Sequence, residues 1–150
     1  MLSLNGSKCN TMISLKLARE LKAAGLVWQS QSLDFFVIPD RGMDERVFVI
    51  SDMQANLDLF RGWPVVTFHG AAEWALDYIM TTEVVWMPTE TQLRTAIQTA
   101  LTDQTPPVLT LAHTTSGYCC TIGIDGIPIE FDGATASEAY GTALLYILQQ

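Results

Sequence analysis

The sequence predicts an α+β fold: a single domain in which amphipathic helices pack on one face of an antiparallel sheet, ending in a β-β-β-α unit. Three observations predict it. Asp125-Gly126 stands between two alternating apolar runs, the pattern of a two-residue hairpin whose turn needs positive φ at both central positions. Thr135-Ala136-Ser137-Glu138 opens the last helical stretch with capping-box spacing. Leu93, Ala96, Ile97, Ala100 and Leu101 follow helical periodicity without a break.

Taken in order, residues 1–11 are polar and aperiodic and read as a loosely attached tail, with Met12 a candidate functional start. A first helix is expected from Ser14 to Ala24, with Leu17, Leu21 and Ala24 on one face and Gly25 just past its end. Phe35 to Ile38 and Arg46 to Ser51 read as strands around the turn chemistry of Pro39-Asp40-Arg41-Gly42. Gln54 to Arg61 suggests a short helix closed by Gly62, Val65 to Phe68 a short strand, and Ala71 to Met80 a helix. Thr89 and Gln92 have capping-box spacing at the next helix, with Trp86 packing just ahead of it.

Thr105-Pro106-Pro107 interrupts the chain and is the one candidate internal boundary in a domain over residues 12–150. Beyond it, Val108 to Thr114 makes a third strand beside the hairpin. In the two-residue register Ile124 faces Ile127, Ile122 faces Ile129, and Cys120 faces Phe131. Cys120 then points to the apolar face and Cys119 to the wetter one. Tyr140, Ala143, Leu144, Ile147 and Leu148 form the apolar stripe of the closing helix.

Three boxes resemble a family of uncharacterised proteins of phages, prophages and bacteria. They are Leu21-Lys22-Ala23-Ala24-Gly25-Leu26-Val27-Trp28, then Trp86-x-Pro88-Thr89 with Leu93, then Thr135 with Glu138-Ala139 through Leu148. The resemblance implies a shared small α+β fold and brings no catalytic residues. Ala136 stands where that family usually has proline, and Arg46 to Ile79 reads as an insertion relative to it.

Composition narrows the function classes. The chain is 49% apolar and 16% charged, with a net charge of −8, against about 25% charged in an ordinary domain. That argues against nucleic acid, whose binding rests on Lys and Arg. No Lys or Arg follows Arg94. No apolar run reaches the ~20 residues that span a bilayer, so no membrane partner is expected. Three cysteines, two of them adjacent, do not form a disulfide framework, which fits a cytoplasmic context. Two histidines are too few for a zinc site, and neither a metal nor another cofactor is expected.

The expectation is a non-enzymatic protein that works through protein–protein contact, as a homodimer or with another protein. Trp28 and Trp63, beside loops, are the candidate contacts. One alternative is an acidic, immunity- or antitoxin-like protein that neutralises a basic toxin. A small hydrolase using Asp52, His69 or His113 is the other. His113 is read as a partly buried strand residue and His69 as a loop or helix-cap residue.

Overall fold

A computed structural model describes residues 11–50, 55–68 and 78–150. Among these residues the order is α1 (Leu15–Ala23), β1 (Phe35–Val37), β2 (Val47–Val49), β3 (Ala55–Phe60), β4 (Trp63–Phe68), β5 (Tyr78–Met80), a 3-10 turn (Thr81–Glu83), β6 (Val85–Met87), α2 (Glu90–Ala100), β7 (Leu109–Thr114), β8 (Gly117–Ile124), β9 (Ile127–Gly133) and α3 (Ala136–Leu148). The fold is α+β and closes with the expected β-β-β-α unit. The strands form three small antiparallel sheets, ordered β2-β1-β6, β3-β4-β5 and β7-β8-β9.

The first sheet is a wall between two cores. Side chains alternate across a strand, so Val37, Val85 and Met87 face a core shared with all three helices and with Cys120 and Ile122 of β8. Phe36 and Ile38 face the other way, onto a smaller core with Ile50, Val66, Ile79 and Val84. β1 therefore has no polar face, which explains the unbroken run Phe35-Phe36-Val37-Ile38.

The third sheet has the expected register. Ile124 pairs with Ile127, Ile122 with Ile129, and Cys120 with Phe131. Asp125 and Gly126 have φ of 50° and 79°, the type I′ geometry that matches strand twist. α3 packs on β8 and β9, with Tyr146 against Phe131 at a ring distance of 5.3 Å. Its arrival is close: a Cβ on Gly133 would sit 2.9 Å from the Glu138 carbonyl carbon and as near to Ala139 Cα.

The helix ends follow local chemistry, with one departure. Ser14 caps α1 by accepting from Leu17 N at 3.2 Å, and Gly25 has the positive φ of a residue just past a helix end. Thr89 and Gln92 complete their box: Thr89 Oγ1 accepts from Gln92 N, and Gln92 Oε1 from Thr89 N. At α3 only half of the expected box forms. Thr135 Oγ1 accepts from Glu138 N at 3.1 Å, but the Glu138 carboxylate accepts from Ser14 N at 2.6 Å. The amide at the start of α1 takes the carboxylate that a self-contained box would have used. The adjacent Ser137 hydroxyl donates to the Thr11 carbonyl at 2.6 Å, so α3 anchors the entry to α1 twice. The rest of the expected tail lies outside the described residues.

The second sheet corrects two expectations. Residues 55–60 are a strand, not a helix. Asn56-Leu57-Asp58-Leu59 alternates polar and apolar, a period-2 pattern. Gly62 does not close a helix; with Arg61 it forms the turn, at φ of 81° and 52°, and Phe60 pairs with Trp63 across it. The expected helix ending at Met80 is replaced over Tyr78–Met80 by β5, which pairs with β4; residues 71–77 lie outside the described residues. Trp86, expected just ahead of a helix, is the middle residue of β6, opposite Phe36.

Candidate functional site

Asp34 is the residue around which the loop before β1 is organised. It is 3% exposed. Oδ2 accepts from Trp28 Nε1 at 2.8 Å and Gln31 N at 2.9 Å, and Oδ1 from Gln92 Nε2 at 2.6 Å. Three donors satisfy a carboxylate that burial would otherwise penalise heavily. Asp34 therefore joins the Trp28 loop to the first turn of α2. It is a structural anchor rather than a poised acid or base.

That anchor orients Trp28. Its ring lies nearly parallel to Trp86, with centroids 6.4 Å apart and planes 11° apart, and meets Phe36 at 6.1 Å. Trp28 is thus held half-buried at the edge of the smaller core, not free on a loop. Beside the tryptophans, α1 and the 3-10 turn enclose a cleft of about 190 Å³. Ala18, Leu26 and Val84 contribute apolar wall, and Lys22 and Thr82 stand at its polar side. Lys22 Nζ donates to the Thr82 carbonyl at 2.7 Å and the Val84 carbonyl at 2.9 Å. Partial burial lowers the Lys22 pKa from its ordinary value. The Trp86 Nε1 hydrogen, in the same wall, is buried and meets no acceptor. Glu83, next in the turn, is engaged elsewhere, with Arg41 at 2.9 Å and the Met80 amide at 3.2 Å.

Trp63 is in a different setting. It opens β4 and is 64% exposed. Leu57, Leu59, Phe60 and Tyr78 of the same sheet are exposed too, Leu59 at 68%. Phe60 and Tyr78 stack at 4.7 Å, and the Arg61 guanidinium lies 5.2 Å from the Phe60 ring centre. Among the described residues Val66 and Ile79 tie this sheet into the smaller core, and Val65 is buried on its other face. Two adjacent expectations thus separate: Trp28 is structural wall of a cleft, while Trp63 belongs to an open apolar surface.

The hydrolase residues do not assemble within the described structure. Asp52 and His69 lie outside the described residues. His113 is exposed, not partly buried as expected. It sits near the β7–β8 turn at the end of the sheet, where the paired Tyr118 ring flanks it at 4.9 Å. Among the described residues no group of three His, Cys, Asp or Glu side chains gathers in metal-binding geometry. No helix among them is long and apolar enough to cross a membrane.

The outer face of the third sheet, opposite α3, carries Thr110, Ala112, Cys119, Thr121, Glu130 and Asp132 by register. Desolvation first, then the Glu130 carboxylate, raises the Cys119 thiol pKa, so this thiol is not activated as a nucleophile. Cys120, on the inner face, is fully buried and its pKa is pushed up to about 11, chiefly by burial.

Asp34 and Lys22 were not singled out from the sequence. Their partners lie 58 residues away for Asp34 and 60 and 62 residues away for Lys22, and no local spacing marks such pairs. No family model matches the chain, and no curated protein or solved structure matches it either.

Proposed function

We propose that the protein is non-enzymatic and acts by protein contact, with two copies meeting through the β3–β4–β5 sheet. One observation carries this reading: large apolar side chains are solvent-exposed on both faces of that sheet, Phe60, Trp63 and Tyr78 on one and Leu57 and Leu59 on the other. Such clusters mark contact surfaces when they exceed a few hundred Å². Charge favours a second copy as occupant. The segment from Ala55 to Phe68 contains one acid, Asp58, and one base, Arg61, so two such faces meet without net repulsion. The chain as a whole carries −8, so most other faces of two copies would repel. Two-fold pairing of identical patches is the commonest arrangement of soluble oligomers. The unpaired Cys119 and Cys120 fit a reducing, cytoplasmic setting.

The test is mass by light scattering after size exclusion, over about a tenfold range of concentration, for wild type and for Leu59→Ser/Trp63→Ser. Both side chains are mostly exposed, so the fold should survive the change. The expected result is a two-chain mass for wild type that falls to one chain in the variant. A one-chain mass for wild type throughout, or a dimer indifferent to the substitutions, overturns the reading.

One observation favours a second reading, an acidic protein that neutralises a basic toxin. The segment after Arg94 has five acids, Asp103, Asp125, Glu130, Asp132 and Glu138, and no Lys or Arg. Glu130 and Asp132 are exposed on the outer face of the third sheet. Co-expression with the product of a neighbouring gene tests it. Protection of the host that is lost in Glu130→Lys/Asp132→Lys supports this reading, and toxicity unaffected by the wild-type protein removes it.

A further inference from the structure

We propose that the cleft between α1 and the Thr81–Glu83 turn binds a small aromatic carboxylate, its ring against Trp28 and Leu26 and its carboxylate on Lys22. This goes beyond the contact function and does not depend on it.

Size sets the first limit. A volume of about 190 Å³ holds roughly six waters at ~30 Å³ each, which suits one ring with a short head group. The wall sets the second. Leu26, Trp28, Val84 and Trp86 offer apolar and aromatic surface, the usual lining of a small-molecule site, with few polar groups to orient the guest.

Those polar groups are all donors or hydroxyls. Lys22 Nζ uses two of its three hydrogens on the Thr82 and Val84 carbonyls. The two bonds fix the ammonium at the cleft and leave one hydrogen for a guest. Trp86 contributes its ring to the wall, while its N–H has almost no accessible surface, so Lys22 is the donor a guest meets. Among the described residues the nearby carboxylates are engaged elsewhere, Asp34 with Trp28, Gln31 and Gln92, and Glu83 with Arg41. The Lys22 ammonium repels a cation and attracts an anion, while the Thr81 and Thr82 hydroxyls can serve either kind of polar neighbour. An anionic head on an aromatic body therefore matches both the charge and the lining of the cleft.

The probes are phenylacetate, its neutral analogue phenylacetamide, and the cationic benzylammonium, each titrated into the full chain and followed in ¹H–¹⁵N spectra that resolve the indole N–H signals. The expected result is a shift of the Trp28 and Trp86 indole signals, whose rings line the cleft, with phenylacetate, Trp63 unmoved, and binding at least about tenfold tighter than phenylacetamide. Lys22→Met, which keeps the aliphatic stem, should bring acid and amide within about twofold of each other, and Lys22→Arg should restore the preference. Equal binding of the three probes by wild type overturns the proposal. So do unmoved Trp28 and Trp86 signals at about 10 mM phenylacetate, where even a weak ~1 mM site would be mostly filled. The spectra of the wild-type chain decide the matter by themselves should Lys22→Met fail to fold.

Discussion

The second and third sheets are built from the same parts and are put to opposite uses. Each has three antiparallel strands, and each has a two-residue turn with both residues at positive φ, Arg61-Gly62 in one and Asp125-Gly126 in the other. The third sheet lies under α3, and its inner residues Cys120 and Ile122 are completely buried. The second is attached through Val66 and Ile79 and leaves Leu57, Leu59, Phe60, Trp63 and Tyr78 in solvent. A three-stranded sheet with an apolar face gains stability from whatever covers that face. The third sheet finds its cover within the chain. Among the described residues the second finds little, which leaves these side chains open to the contact proposed above.

The largest test of this contrast is at two glycines. Gly133→Val would drive a side chain into the backbone of α3 at Glu138 and Ala139. Neither sheet nor helix can yield, so the expected loss is about 4 kcal/mol or more, in the range of severe overpacking. Gly62→Ala meets no atom within 4 Å and suffers only from its positive φ of 81°, a cost of about 1–2 kcal/mol. Chemical denaturation of the two variants should separate them clearly. Equal losses would mean that the second sheet is as tightly integrated as the third.

A smaller effect comes from side-chain truncation. Ile122→Ala empties space in the main core and should cost about 2–5 kcal/mol. Leu59→Ala, at a 68% exposed position, should change the stability of the monomer by no more than about 0.5 kcal/mol. The same Leu59 substitution should weaken association, so its effect on unfolding should grow with protein concentration. A concentration-independent loss would place Leu59 in the fold rather than in a contact.

Why one sheet was legible and the other was not follows from the same contrast. Asp125-Gly126 is turn chemistry that carries its own geometry, and the isoleucines on both sides fix the register whatever surrounds them. Ser14, Thr89 and Thr135 announce helix starts by accepting from the amide three residues on. The boxes at Pro88-Thr89 and Thr135-Glu138 are partly this capping chemistry. Arg61 at φ 52° gives no such notice, because arginine is not a residue that favours the left-handed region. Gly62 alone fits a helix end as well as a turn, and Leu57 and Phe60 fit a short helical stripe until the alternation of Asn56 and Asp58 is weighed. The Lys22 cleft and the Asp34 anchor depend on residues about 60 positions apart, which no local pattern encodes.

Between the two sheets stands the Asp34 anchor, and it should matter at an intermediate level. Asp34→Asn keeps the shape but replaces one acceptor oxygen by a donor, facing donors from Trp28, Gln31 and Gln92. A loss of about 2 kcal/mol is expected, the scale of hydrogen bonds to a charged group. Trp28 should loosen with it, and its indole N–H signal should move toward the position of free indole. An unchanged signal would show that stacking on Trp86 and Phe36 holds Trp28 unaided.

The smallest effect is a dependence on pH confined to the covered sheet. Burial first, and the neighbouring Cys119 second, raise the Cys120 thiol to about 11 from an ordinary 9.0. The fold therefore resists forming the thiolate, while the unfolded chain forms it freely. Below pH 9 both states hold the proton and nothing is lost. From about pH 9 the unfolded chain sheds it first, so stability falls with rising pH until the folded thiol also ionises, near 11. Tyr140, raised chiefly by burial as well, acts in the same direction at somewhat higher pH. Urea unfolding at several pH values between about 8 and 10.5 should show this decline. Cys120→Ala should lower stability at neutral pH through lost packing, yet flatten the slope above pH 9; adding Tyr140→Phe should flatten it further. Leu59→Ala should leave the slope as it is, since no thiol or phenol with a raised pKa is found among the described residues of β3 and β4. A slope that persists in Cys120→Ala/Tyr140→Phe would show that alkaline sensitivity arises elsewhere, and the covered sheet would no longer be the one that registers pH.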